Sequence, residues 1–205
     1  MKLFWSSRSP FVRKVMVAVH EIGVADRIET QRVVVSANNP NAEVMAINPL
    51  NKIPTLIRDD GSAIYDSRVI CEFLDQVYGK KTLFPSDPAR RWEALRRQAL
   101  GDGLMEVIVL LLGERARAEG LRSEPHLSTH QLKIKTTLDC LEREAPPPPA
   151  DTVDIGDIAI ASGLSHLDFR FAADNWRQGR AKLAAWHAAM AGRPSMKATE
   201  FADVY

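Results

Sequence analysis

The sequence predicts an α/β half followed by an all-α half, and three observations carry that prediction. Strand-like runs lie before residue 80, and four long helical patterns follow residue 88. Between them the stretch KKTLFPSDP, residues 80–88, carries two prolines and a turn signal. The expected domains are therefore residues 1–79 and 89–205, with 80–88 as linker.

Lys2 to Trp5 reads as a short strand, and Ile28 to Val35, ending in three consecutive valines, as a second. Val12, Val15, Val19 and Ile22 recur between them at helical spacing, with Gly23 as the stop. Strand, helix, strand is the unit that builds a parallel pair. Asn38 to Asn51 is rich in Asn and Pro, so it is expected to be irregular, with at most a short helix near Ala42 to Ala46. Thr55 to Arg58 and Ala63 to Tyr65, separated by Asp59-Asp60-Gly61, predict an antiparallel hairpin. Ser67 is then expected to cap a helix with Ile70, Phe73, Leu74 and Val77 on one face and Gly79 past its end. Ala89 to Ala118, Ser128 to Arg143, Ile155 to Phe171 and Arg180 to Met190 supply the helices of the second half. Pro146 to Pro149 cannot continue a helix and read as an extended spacer.

Composition narrows the function classes. With 205 residues and 45% apolar content the chain can bury a sizeable core. Lys plus Arg total 27 against 26 acidic residues, so no net field favours nucleic acid or anionic lipid. Cys71 and Cys140 lie far apart, giving neither a disulfide framework nor a ligand spacing, which fits a reducing cytoplasm. No segment reads as a signal peptide or a membrane span. His126 and His130 are four apart but straddle the expected helix start at Ser128 without a thiol or carboxylate to complete a metal site, so they read as surface residues.

The chemistry-bearing stretch is SSRSPFVRKV, residues 6–15. Ser9 before Pro10 is an ordinary helix start, and the same position at a helix entrance favours anions. A βαβ unit followed by a ββα unit, with Pro54 at the start of the third strand, is the pattern of a thioredoxin-like domain with a mixed four-stranded sheet. Its motifs make the whole chain resemble a cytosolic glutathione S-transferase. NPLNKIPTL, residues 48–56, resembles the family's cis-proline segment. The resemblance implies a cis Ile53–Pro54 bond that turns the main chain of Ile53 outward, where it can pair with the extended peptide glutathione. Asp66-Ser67 resembles the acid and serine that hold the γ-glutamyl group: the Ser67 N–H and hydroxyl suit its carboxylate, and Asp66 its ammonium. Lys52 could reach the glycyl carboxylate or stay solvated, and Asn38 is a weaker candidate. Asp154 and Asp157 resemble the family's capping box in a buried helix, and the stretch from Arg193 to Thr199 resembles its C-terminal signature.

Ser-Pro-Phe at residues 9–11 resembles the Cys-Pro-Phe of omega-class transferases with serine substituted, and the Ser-Pro-Phe of tau-class enzymes. Serine cannot form a mixed disulfide, but its hydroxyl can donate to the thiolate of bound glutathione. The resemblance thus implies a serine-type transferase: Ser9 activates the thiol, with Ser6 and Ser7 as rival donors, for attack on a small hydrophobic electrophile. The electrophile pocket is expected among Trp5, Ser6, Arg8, Leu104, Met105 and Ile108. Asp102 is a further candidate, either at a dimer interface or solvated. No metal and no cofactor beyond glutathione are implied, and a cytoplasmic homodimer is. The rival functions are a glutathione-dependent peroxidase or thiol reductase, and a non-catalytic protein-binding member of the fold like the stringent starvation protein.

Overall fold

The computed structural model describes residues 1–36, 38–79, 83–144 and 152–204. The proline run at 146–149 and part of the expected linker, residues 80–82, lie outside the described residues. The chain forms two compact units, one of residues 1–91 and 194–205, the other of residues 92–193. The last twelve residues thus group with the first unit, whereas the sequence placed them in the helical half.

The first unit contains β1 (Lys2–Trp5), α1 (Pro10–Ile22), β2 (Glu29–Arg32), α2 (Ala42–Ile47), β3 (Thr55–Ile57), β4 (Ala63–Ile64) and α3 (Ser67–Val77). Its sheet has the order β2-β1-β3-β4. β1 pairs with β2 in parallel and with β3 antiparallel, and β3 and β4 close the expected hairpin. Because side chains alternate across a strand, Leu3 and Phe4 face opposite sides of the sheet. Phe4 packs with Val33 and Val44, and Val35, Ile53 and Ile57 close around them.

β2 stops at Arg32, not at Val35 as expected. Its partner β1 ends at Trp5, and Val33 N–H makes the last bond to the Trp5 carbonyl at 3.0 Å. Val33 and Val35 anchor the loop in the Phe4 cluster while Val34 points to solvent, an alternation that cannot by itself be separated from a strand. Ser67 is likewise not the cap of α3. Asp66 is: its carboxylate accepts from Arg68 N–H at 2.9 Å, and Ser67 is the first helical residue.

The second unit holds most of α4 (Pro88–Arg115), then α5 (Glu124–Glu144), α6 (Ile155–Phe171) and α7 (Ala181–Ala191). The four-residue α8 (Pro194–Lys197) follows in the first unit. α5 starts four residues before the expected Ser128. Ser123 Oγ accepts from His126 N–H at 3.4 Å, and Pro125 sits in the first turn, where its missing N–H costs nothing. His126 and His130 therefore both lie within one helix, their rings 6.1 Å apart, instead of straddling its start.

α6 is buried on every side from Ile155 to Leu167, the polar Asp157, Ser162, Ser165 and His166 included. Ile155, Ile158, Ala159, Ala161 and Leu164 are fully buried. Gly101 of α4 lets the two helices touch: a Cβ there would sit 2.6 Å from the Ala159 carbonyl carbon. The N-terminus of α6 carries the expected capping box, with Asp157 N–H donating to Asp154 Oδ1 and Asp154 N–H to Asp157 Oδ2, both at 3.0 Å. Arg97 Nη2 closes the group on Asp157 Oδ1 at 2.7 Å. Burial first, and then the Asp157 carboxylate, push the Asp154 carboxyl above the usual aspartate range. Among the described residues no helix is long and apolar enough to cross a membrane.

Candidate functional site

The predicted binding residues of the first unit sit on three local devices. The first is the turn from β1 into α1. Ser9 is the N-cap, with φ −85° and ψ 122°, and its Oγ accepts from Val12 N–H at 3.3 Å. This bond uses an oxygen lone pair, so the hydroxyl proton is still available to donate. The two rivals are placed differently. Ser7 donates its hydroxyl proton to the Ala202 carbonyl at 2.8 Å, and Ser6 Oγ accepts from Arg8 N–H at 3.3 Å. The turn closes through Ser9 N–H to the Ser6 carbonyl at 3.3 Å.

The second device is the loop before β3. The Ile53–Pro54 peptide is cis. The Ile53 side chain packs against the Phe4, Val33 and Val44 cluster. Among the described residues, neither its N–H nor its C=O has a main-chain partner. Asn48, which the sequence reading used only as part of a motif, fixes this loop. It is 1% exposed and its Nδ2 donates to the Lys52 carbonyl at 3.1 Å and to Thr55 Oγ1 at 3.0 Å. Its Oδ1 accepts from Leu50 N–H at 3.1 Å. A buried amide with three bonds is a positioning group, and an Asn-Pro pair at a helix end was the available signal. The Lys52 side chain is exposed, as is Asn38, whose N–H donates to Ser36 Oγ at 3.1 Å.

The third device is the N-terminus of α3. Asp66 is exposed, whereas Ser67 is buried, and as the first helical residue Ser67 has no intrahelical acceptor for its N–H. An exposed carboxylate beside free helix donors can take an ammonium and a carboxylate side by side.

Trp5 and Ser6 line a pocket of about 170 Å³ together with Ser7, Met16, Thr199 and Glu200. Arg8 does not line it; its Nε meets Asp203 Oδ1 at 2.9 Å. Leu104, Met105 and Ile108 are buried, at 2%, 0% and 0% exposure. Asp102 is 1% exposed and has a polar partner, so it is not the solvated acid that the sequence allowed.

Other groups with catalytic composition fail on geometry. Ser165 Oγ lies 2.9 Å from His187 Nε2. Arg177 Nη2 lies 3.3 Å from His187 Nδ1, while Asp168 stands 3.9 Å from it. Guanidinium only donates, so Nδ1 accepts and Nε2–H donates to Ser165, the reverse of what nucleophile activation requires. Cys71 is fully buried in α3, and Cys140 donates to Glu144 at 3.3 Å in α5, where burial first raises its thiol above the usual range. In sequence neither is near Ser9, since Cys71 is the first cysteine of the chain. Among the described residues no group of three or more His, Cys, Asp or Glu is placed to hold a metal ion.

Residues 8–77 match the family model described as glutathione S-transferase, N-terminal domain, and residues 114–189 the one described as glutathione S-transferase, C-terminal domain. A glutathione transferase family member from Pseudomonas fluorescens Pf-5, solved with bound glutathione, is 42% identical with a TM-score of 0.93, over 97% of this chain and 98% of that one. A glutathione S-transferase from Methylobacillus flagellatus KT, also with glutathione bound, is 33% identical with a TM-score of 0.87, over 98% and 99% of the two chains. The uncharacterized GST-like protein YibF of Escherichia coli K12 is 32% identical over 202 residues, 98% of each chain. The chain belongs to the glutathione S-transferase family.

Proposed function

We propose that the protein is a glutathione transferase in which the Ser9 hydroxyl donates a hydrogen bond to the glutathione sulfur. The observation that carries this reading is the place of Ser9 at the N-cap of α1, where its Oγ accepts from Val12 N–H and its hydroxyl can still donate. Ser6, which also only accepts, lies before the helix, and the Ser7 hydroxyl already donates to the Ala202 carbonyl. A donor aimed at sulfur favours the thiolate over the thiol, and the N-terminal end of α1 adds partial positive charge at the same place. The thiol proton goes to solvent. The sulfur lone pair then forms the bond to the electrophilic carbon, and the leaving group departs with the electron pair of the bond that breaks.

Glutathione is held by the second and third devices as a short peptide strand: its cysteinyl main chain pairs with Ile53, its γ-glutamyl ammonium with Asp66 and its γ-glutamyl carboxylate with Ser67. Lys52 is the cation for the glycyl carboxylate. Trp5 and Ser6 are the electrophile-facing residues of this unit, and the active form is a cytoplasmic homodimer needing no cofactor beyond glutathione. The absence of a cysteine beside Ser9 supports transfer over disulfide exchange, and a glutathione site so fully equipped supports an enzyme over a non-catalytic binding protein. The test is retention on immobilised glutathione followed by elution with free glutathione, and turnover of an aryl halide by the eluted protein. Passage straight through the matrix overturns the reading.

A further inference from the structure

We propose that the segment Ser195–Val204 is a strap that positions the Ser6–Ser9 turn for catalysis, with Ser7 and Asp203 as its positioning residues. The inference rests on the role proposed for Ser9. The strap grips the turn on both sides of that residue. Before it, Ser7 and Ala202 exchange two hydrogen bonds, Ser7 Oγ to the Ala202 carbonyl at 2.8 Å and Ala202 N–H to the Ser7 carbonyl at 3.3 Å. Arg8 Nε adds its pair with Asp203 Oδ1 at 2.9 Å. After it, Arg13 N–H donates to the Ser9 carbonyl at 3.0 Å, and the Arg13 side chain is held by the strap. Its Nη2 donates to the Met196 carbonyl at 3.2 Å, and its guanidinium lies 4.6 Å from the centre of the Phe201 ring. The strap is itself anchored at both ends, by Ser195 Oγ donating to Glu21 at 2.5 Å and by Arg32 donating to the Val204 carbonyl.

The Arg8–Asp203 pair is 34% and 50% exposed, so it contributes little to stability. Its effect is geometric. A donor displaced by a fraction of an ångström from the sulfur loses much of its bond, and misplacement of about 1 Å can cost on the order of 100-fold in rate.

The test titrates the thiolate absorbance of glutathione bound to the full-length protein, in Asp203→Asn, Asp203→Glu, Ser7→Ala and Ser9→Ala, with thermal stability measured alongside. Asp203→Asn and Ser7→Ala are each expected to raise the apparent pKa of the bound thiol by roughly half a unit to one unit, a three- to tenfold loss of thiolate at a fixed lower pH. They should leave the melting temperature nearly unchanged and have no further effect in a Ser9→Ala background. Asp203→Glu is expected to restore the wild-type value. Sign separates positioning from plain electrostatics, because removing the Asp203 charge would by itself lower the thiol pKa. If Ser9→Ala raises the pKa but Asp203→Asn and Ser7→Ala leave it unchanged or lower it, the strap is overturned and the Ser9 reading stands. If Ser9→Ala leaves the pKa at the wild-type value, the Ser9 reading fails and the strap proposal with it.

Discussion

The N-termini of α3 and α6 begin with the same chemistry, an aspartate cap, and end with opposite results. At α6 the cap is closed on itself. Asp154 and Asp157 satisfy each other's N–H groups, Arg97 covers the pair, and Asp157 is only 8% exposed. At α3 the residue three positions beyond the cap is Val69, which cannot reciprocate, and Asp66 stays exposed beside the first free donors of its helix. α1 follows the open pattern, with Ser9 accepting one bond and keeping a proton. The difference is that a reciprocal capping box is occupied from within, whereas the open cap leaves an exposed carboxylate beside a first-turn N–H with no intrahelical acceptor.

Four substitutions test that distinction. The largest effect is expected from Ser9→Ala, which should lower kcat for an aryl halide by about 10²- to 10³-fold, the usual cost of removing one preorganised donor. Retention on the glutathione matrix should persist. Full activity in Ser9→Ala together with an inactive Ser6→Ala would move the donor to Ser6. Next, Asp66→Ala should weaken glutathione binding about tenfold or more by calorimetry, since a hydrogen bond to a charged group is worth roughly 1.5–3 kcal/mol. Asp154→Ala should do the converse, lowering unfolding stability by about 1–2 kcal/mol in urea with glutathione affinity intact. Equal effects of the two variants on binding would erase the distinction between open and closed caps.

The smallest effect concerns pH. Because burial raises the Asp154 carboxyl, the folded state holds this proton more tightly than the unfolded chain does. Its protonated form adds stability below the ordinary aspartate value near about pH 4, and that contribution disappears as pH rises through the raised value. Asp154→Asn keeps an acceptor for Asp157 N–H and removes the titration. Its stability curve should be flatter over that window, and an unchanged slope would assign the pH dependence to another group.

Much of this was legible in the sequence because the signals were local. β1 and α6 occupy the residues that their patterns marked, and the motif residues 48–56 and 66–67 fall on the loop and helix entrance where they were expected. The misreadings had physical causes. Val33 and Val35, anchored in the Phe4 cluster with Val34 exposed between them, look the same as a strand, and an Asp-Ser pair offers two caps of which only backbone geometry selects one. α8 has four residues, too few to show a period. The hold of Ala202 and Asp203 on Ser7 and Arg8 spans about 195 residues of chain, a distance at which neither propensity nor periodicity carries information.

That long-range closure also sets an order of assembly. The first unit consists of residues 1–91 and 194–205, so the 102 residues from 92 to 193 are synthesised between its two parts. At roughly 5–20 residues per second, translation of that stretch takes about 5–20 s. During this interval the Ser6–Ser9 turn and Arg13 lack the partners that Met196, Phe201, Ala202 and Asp203 supply. The contacts of Ala202 and Asp203 with Ser7 and Arg8 can therefore close only after residues 92–193 have been made.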